Sequence, residues 1–280
     1  MQFNSNQHDP LEPNTIAIIG IPNDKNSSFL RGPALAPARI REALLSGAAN
    51  MCAENGFDLD DHANIVDVGD MALPWGKTWQ LTGSPVIEAG IVQLLDRGAK
   101  VLTLGGDHAI TYPIIKAFAA KYKKLNILHL DAHPDLYDEL GGNRVSHACP
   151  FARIMEQSLA ARLVQVGIRT LNSHQRQQAK RFTVEIIEMR DWKPGMPLEF
   201  DGPLYLSLDL DVLDPAFAPG VSHHEPGGMS PRDVLGIIQA IDVPLVGADI
   251  VELNPTRDLV GITAVTAAKF LKEIVAKMAA

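Results

Sequence analysis

Eight short apolar runs recur along the chain, at 15–21, 65–68, 101–104, 125–130, 163–166, 184–187, 204–208 and 245–251. They read as nearly continuous hydrophobic stretches rather than alternating ones, the pattern of strands covered on both faces. Between them lie segments with apolar residues at helical spacing. Ile40, Ala43 and Leu44 mark 37–46, and Val86, Ile87, Ile91, Leu94 and Leu95 mark 84–97. Further helices are expected over 109–121, 151–161, 173–181, 232–241 and 262–278. Pro37 suits a first helical turn, Gly98 a helix end, and Ser230-Pro231 a capped start. Strands alternating with helices predict parallel βαβ units. The expected fold is α/β, a three-layer αβα arrangement with a mostly parallel eight-stranded sheet.

No shift in composition divides the chain. Residues 1–14 are polar and are expected to form a loose N-terminal tail, and 15–280 to form a single domain. The hydrophobic fraction of 46% suffices for a substantial core. A formal charge of −8 with no basic run argues against nucleic acid or an anionic membrane surface, and suits a small cationic substrate. No run reaches transmembrane length. The start of the chain resembles neither a signal peptide nor an Arg-rich transit peptide. Cys52 and Cys149 stand far apart, in no metal-like spacing. A cytoplasmic setting is the expectation.

Chemistry collects at the carboxyl ends of the runs. Asp131, His133 and Asp135 follow the fourth run, and side chains two apart in an extended segment share a face. Asp209 and Asp211 close the seventh run, and His108 follows the third after Gly105-Gly106. Glu252 ends the eighth. In open α/β sheets, sites form outside the carboxyl ends of strands. Four carboxylates and two imidazoles without a thiolate suit hard or borderline divalent ions, Mn²⁺ first. Six such groups are too many for one open catalytic ion; they suit a pair about 3.5 Å apart. A lone Asp or His at a strand end is commonly a turn cap or a satisfied polar group, but three such pieces on three strands make that reading poor.

These blocks carry a resemblance. Gly105-Gly-Asp-His108, Asp131-Ala-His-Pro-Asp135, Ser207-Leu-Asp-Leu-Asp211 with Asp214-Pro215, and Ala248-Asp-Ile-Val-Glu-Leu-Asn-Pro255 resemble the signatures of the ureohydrolases. That family includes arginases, agmatinases and other guanidino-acid hydrolases. Ser146-His-Ala148, Phe151-Ala-Arg-Ile-Met-Glu156, Ala218-Pro-Gly-Val-Ser-His223, Glu225-Pro-Gly-Gly228 and Asn254-Pro-Thr-Arg-Asp258 look most like the plant-type arginase branch. Agmatinases share many of them.

The resemblance implies hydrolysis of L-arginine to L-ornithine and urea by a hydroxide bridging two Mn²⁺ ions, with Co²⁺ or Ni²⁺ as alternatives. It implies one ion held by His108, Asp131, Asp135 and Asp209, and the other by His133, Asp131, Asp209 and Asp211. Asp135 would pass a proton to the leaving amine, His147 would shuttle protons, and Glu252 would pair with the guanidinium. It also implies a homo-oligomer. Agmatinase or another guanidino-acid hydrolase is the first rival. A one-zinc deacetylase-type amidohydrolase fits the six-ligand set less well, and a non-catalytic binding protein would be expected to lack a ligand. Substrate choice should fall to rim loops, where Asn143, Arg144, Ser146, Asn172 and Ser222 are donors able to meet a carboxylate.

Other polar groups are expected to serve structure. Asp107 would cap the next helix or orient His108, His129 and Cys149 would pack, and Asp214 would hold a turn. Asp249 would be a buried hydrogen-bonded group or would support a ligand. His224, where the plant-type pattern has an aliphatic residue, is expected to be exposed.

Overall fold

The computed structural model describes residues 2–3, 11–12, 14–73 and 79–280. All eight expected strands form: β2 (Ile16–Gly20), β3 (Ile65–Asp70), β4 (Lys100–Leu104), β5 (Asn126–Leu130), β6 (Arg162–Ile168), β7 (Glu185–Glu188), β8 (Leu204–Asp209) and β9 (Leu245–Val251). A two-residue strand, β1 (Gln2–Phe3), lies beside β3. Of the segment expected as a tail, residues 1, 4–10 and 13 lie outside the described residues. The order across the sheet is β1-β3-β2-β4-β9-β8-β5-β6-β7, and every pairing is parallel.

The helices are α1 (Ala36–Leu45), α2 (Trp79–Asp96), α3 (Thr111–Lys121), α4 (Pro150–Glu156), α5 (Ser173–Phe182), α6 (Pro231–Ala240) and α7 (Ile262–Ala279). They fall into two layers because each strand sends alternate residues to opposite faces. Leu102, Leu104, Leu128, Leu130, Leu206, Leu208 and Ile250 pack with Ile40, Ile238 and Phe270 from α1, α6 and α7. Val101, Ile127, Leu163, Tyr205 and Val251 pack with Ile91, Ile114, Phe118 and Phe151 from α2, α3 and α4. Both faces are thus dry, which is why the strand runs read as unbroken. Among the described residues, no helix is long and apolar enough to cross a membrane.

Two helices differ from expectation: α2 begins at Trp79 rather than at 84, with Pro85 inside it, and α4 ends early. The segment expected to be helical over 151–161 leaves the helix after Glu156. Ser158 takes the left-handed conformation (φ 53°), and the Ala161 N–H then joins the Leu125 carbonyl at 2.8 Å. The apolar residues beyond 156 line the descent to β6 rather than another helical turn.

The sheet's order places the site. β4 and β5 are consecutive in sequence but stand apart, with β9 and β8 between them. Loops from β4 and β5 therefore diverge around a crevice, and the ends of β9 and β8 form its floor.

Candidate metal centre

His108 opens the turn after β4, where the chain passes tightly against the 22–36 loop. A Cβ on Gly106 would lie 1.7 Å from the Asn23 carbonyl oxygen, so only glycine fits there. The Asp107 side chain does not cap that turn. It accepts instead from the Asn26 N–H (2.8 Å), Ser27 Oγ (3.3 Å) and Asn23 Nδ2 (3.4 Å), tying the 22–36 loop to the centre. Full burial, and Glu252 beyond it, push Asp107 up to about 7.

The six residues from three strand ends converge. His108 Nδ1 lies 3.3 Å from Asp131 Oδ2, 3.1 Å from Asp135 Oδ2 and 3.1 Å from Asp209 Oδ2. His133 Nδ1 lies 3.0 Å from Asp211 Oδ2 and 3.4 Å from Asp131 Oδ1. Asp131 therefore faces both histidines. Burial, followed by the charges of Asp211 and Asp131, pushes Asp209 well above the usual carboxylate range. Burial also raises Asp211 to about 7, although His133 pulls it down. Carboxylates crowded at this depth call for positive charge.

The donor set fits divalent ions on a separate ground. His108 Nδ1 is fully buried with three carboxylate oxygens close by, yet it makes no hydrogen bond to any of them. That is the geometry of ligands aimed at a common point. His129 lies as near, but its role differs. Gln165 Nε2 donates to its Nδ1 (2.9 Å), which leaves the proton on Nε2 to donate to Asp131 Oδ2 (2.8 Å). His129 thus braces a carboxylate and offers no lone pair to a metal. Its expected packing role is also real: it stacks on Phe151, with centroids 3.9 Å apart. The brace went unread because a histidine inside an apolar run looks like core.

A cavity of about 190 Å³ opens over the cluster, lined by His133, Asp135, Asp209, Asp211, His147 and Glu252 among others. Asp135 and Glu252 both hold left-handed backbone conformations (φ 47° and 65°). Such positions cost a non-glycine residue about 1–3 kcal/mol and persist where the surroundings impose them. Glu252 Oε1 accepts from the His108 N–H (2.9 Å) and faces His147 Nδ1 (2.8 Å). Its other oxygen, Oε2, is buried without a hydrogen-bond partner among the described residues.

On its far side, His147 Nε2 meets Ser28 Oγ at 2.8 Å and the Ser28 N–H at 3.2 Å. Burial disfavours the imidazolium, but Glu252, with Asp135 and Asp107 beyond, outweighs it and pushes His147 up to about 9. The Ser28 amide opposes this, since an N–H only donates and so favours a lone pair on Nε2. The two influences oppose one another, with that of Glu252 the larger, on a ring that stands at the cavity where a proton could be exchanged.

At the rim the structure departs from the sequence reading. Asn143 and Ser146 do not line the cavity: Asn143 joins Asn26 and the Val145 N–H, and Ser146 Oγ meets the Ala148 N–H. Arg144 pairs with Asp138 and Glu156, Asn172 caps α5, and Ser222 accepts from Asn254. Their polar groups are consumed in fixing loops. Ser28, Tyr137, Thr170, Gln175 and His223 line the rim instead. The His223 ring stands 5.1 Å from His147 and 5.9 Å from His133. Ser28 lies in a stretch that reads only as a polar loop, and His223 was legible as part of a motif without a role. His224 is exposed, against the Pro219 carbonyl, and Asp214 holds a turn through the Ala216 and Gly227 N–H groups.

Fold and site together define a parallel α/β protein with a histidine–carboxylate centre, able to bind metal, at the carboxyl edge of its sheet. The model of the arginase family matches residues 14–276, and the chain belongs to that family. It is 46% identical to a protein named "Arginase 1, mitochondrial" from Arabidopsis thaliana, over 94% of this chain and 80% of that one. It is 34% identical to an agmatinase of Bacillus anthracis, over 95% and 93%. Among solved structures, the arginase from Medicago truncatula superposes with a TM-score of 0.87 at 42% identity, covering 95% of this chain and 87% of that one.

Proposed function

We propose that the protein hydrolyses L-arginine to L-ornithine and urea at a centre holding two Mn²⁺ ions, with His108, Asp131, Asp135 and Asp209 around one and His133, Asp131, Asp209 and Asp211 around the other. The observation that carries this reading is Glu252 Oε2, a buried carboxylate oxygen without a partner beside a cavity rich in acidic groups. A planar guanidinium presents paired N–H donors to such an oxygen. When bound, the ions would supply positive charge and bring the pKa of a shared water close to neutrality. Asp135 stands at the cavity wall, placed to take up the water proton and deliver it to the departing amine. His147 exchanges that proton with solvent, and Glu252 holds the guanidinium plane. The higher identity to plant arginase than to agmatinase supports arginine over agmatine. Among the described residues the cavity lining includes no Lys or Arg, so the α-carboxylate of arginine would be met by neutral donors such as Ser28, Tyr137 and Gln175, the Thr170 hydroxyl being spent on the Ala132 carbonyl.

Urea release by Mn²⁺-loaded protein on both substrates tests the reading. L-arginine is expected to give the higher kcat/KM, and a higher value for agmatine would overturn the substrate assignment. His147→Ala is expected to keep its full metal content and lose about 10²-fold in turnover, the lower end for a general acid–base group. Metal loss in that variant, read by elemental analysis, would make His147 a ligand.

Two features bear on setting and assembly. Cys52 and Cys149 are unpaired, which suits a reducing compartment such as the cytoplasm. Leu259, Val260, Ile262 and Val265 leave apolar surface exposed at the start of α7, which suits a homo-oligomer.

A further inference from the structure

Five polar side chains cross the middle of the sheet in one row. In register, Thr103 of β4 pairs with Asp249 of β9, Asp249 with Ser207 of β8, Ser207 with His129 of β5, and His129 with Gln165 of β6. All five are buried. Ser207 and His129 stand two residues before Asp209 and Asp131, and so on the same sheet face. The row is a polar floor directly beneath the centre, within an otherwise apolar layer.

Its hydrogen bonds have a fixed direction. Asp249 Oδ1 accepts from Ser207 Oγ at 2.8 Å, and Oδ2 accepts from Thr111 Oγ1 at 2.8 Å and the Tyr205 hydroxyl at 2.9 Å. Tyr205 reaches over Gly247, its partner in register, where a Cβ would lie 3.1 Å from the tyrosine ring and 2.3 Å from that of Phe118. A carboxylate only accepts, so Ser207 spends its single proton on Asp249. Ser207 Oγ then turns lone pairs toward His108 Nε2, 3.0 Å away. That nitrogen must carry the proton. His108 Nδ1 is left with its lone pair, aimed at Asp131, Asp135 and Asp209.

We propose that Asp249 is a positioning residue that acts through Ser207 to lock His108 in the Nε2–H tautomer, keeping Nδ1 free to ligate a metal. This rests on the dinuclear centre proposed above, but its mechanism can be read in metal-free protein.

Asp249→Asn tests it. An asparagine has one oxygen and one NH₂. The two hydroxyls of Thr111 and Tyr205 outnumber that of Ser207 and claim the oxygen. The NH₂ then faces Ser207, whose hydroxyl turns to donate to His108 Nε2 and moves the imidazole proton to Nδ1.

With ¹⁵N-histidine label in metal-free protein, at a pH high enough to leave His108 neutral, because Asp131, Asp135 and Asp209 outweigh burial and hold it well above the usual imidazole range, the wild type is expected to show the Nε2–H pattern at His108 and D249N the Nδ1–H pattern. Titration with Mn²⁺ is expected to show one of two sites weakened by about 10–100-fold, the usual size of such outer-sphere effects. D249N that keeps both the wild-type tautomer and both affinities overturns the proposal.

Where D249N does not fold, Ser207→Ala removes the relay and leaves Asp249 two donors. A mixed His108 tautomer and a comparable loss at one site are expected, and wild-type behaviour in both would overturn the proposal. Tyr205→Phe keeps the Ser207 limb, so tautomer and affinities should hold; an equal loss there would mean general loosening and also overturn it. A wild type that binds fewer than two ions would sink the dinuclear reading, whatever the tautomer shows.

Discussion

Asp209→Asn protein is expected to purify with at most one tightly held divalent ion per chain and to release urea ~10²–10⁴-fold more slowly than wild type. The scale follows from breaking a buried ionic assembly, which costs about 3–5 kcal/mol when one charged partner is removed. Asparagine keeps the shape of the side chain, and its oxygen can still accept the Asp211 N–H that Asp209 Oδ1 takes at 2.9 Å. The charge is what disappears. In the proposed centre Asp209 serves both ions, so its loss should harm both. His108→Ala should chiefly harm the ion beside Asp135, because the other histidine, His133, stays with Asp211 and Asp131. Elemental analysis alongside a urea assay separates the two patterns. Two firmly bound ions and wild-type turnover in Asp209→Asn would sink the bridging role.

Glu252→Gln is expected to fail differently: full metal content, with kcat/KM for arginine lowered by ~10²–10⁴-fold. Two charge-assisted hydrogen bonds to a guanidinium are worth about 1.5–3 kcal/mol each. The amide oxygen can keep the contacts with the His108 N–H and His147 Nδ1, so the fold of the strand end should survive. Its NH₂ then occupies the place of Oε2 and opposes the substrate's own N–H donors. The negative charge that raises His147 is also removed, so the histidine's pKa should fall, and with it the alkaline limit of any pH profile that follows its ionisation. Metal loss in Glu252→Gln would place Glu252 among the ligands, and unchanged kcat/KM would remove it from substrate binding.

The two variants divide the site along the line that separated what could be read from the chain alone. The inner strands were legible because covering both sheet faces demands mainly apolar runs, whereas the edge strand β7 is only part-buried and was legible from Val184, Ile186 and Ile187 around Glu185. The six clustered residues were legible because a period of two puts Asp131, His133 and Asp135 together without any knowledge of neighbours, and the sheet rule places Asp209, Asp211 and His108 at the same edge. Glu252 could be placed at that edge, but neither its left-handed backbone nor its unpartnered oxygen could be foreseen. The rim was misread for a specific reason. Asn143, Ser146 and Asn172 are donors by composition, and whether a donor is free depends on which loop it must hold in place. The 22–36 loop shows the converse. Ser28 reaches His147 because Asp107, far along the chain, draws that loop down with three side-chain hydrogen bonds, joined by the His147 N–H on the Asn26 carbonyl.

By itself, then, the sequence determined the parallel α/β architecture and the groups able to face a metal, since both follow from short-range periodicity and burial. Tertiary structure decided which polar groups were left over to meet a substrate, and which way the protons point in the buried row of Thr103, Asp249, Ser207, His129 and Gln165. Hydrogen-bond direction is settled by partners on adjacent strands, and strand order brings those together from distant parts of the chain.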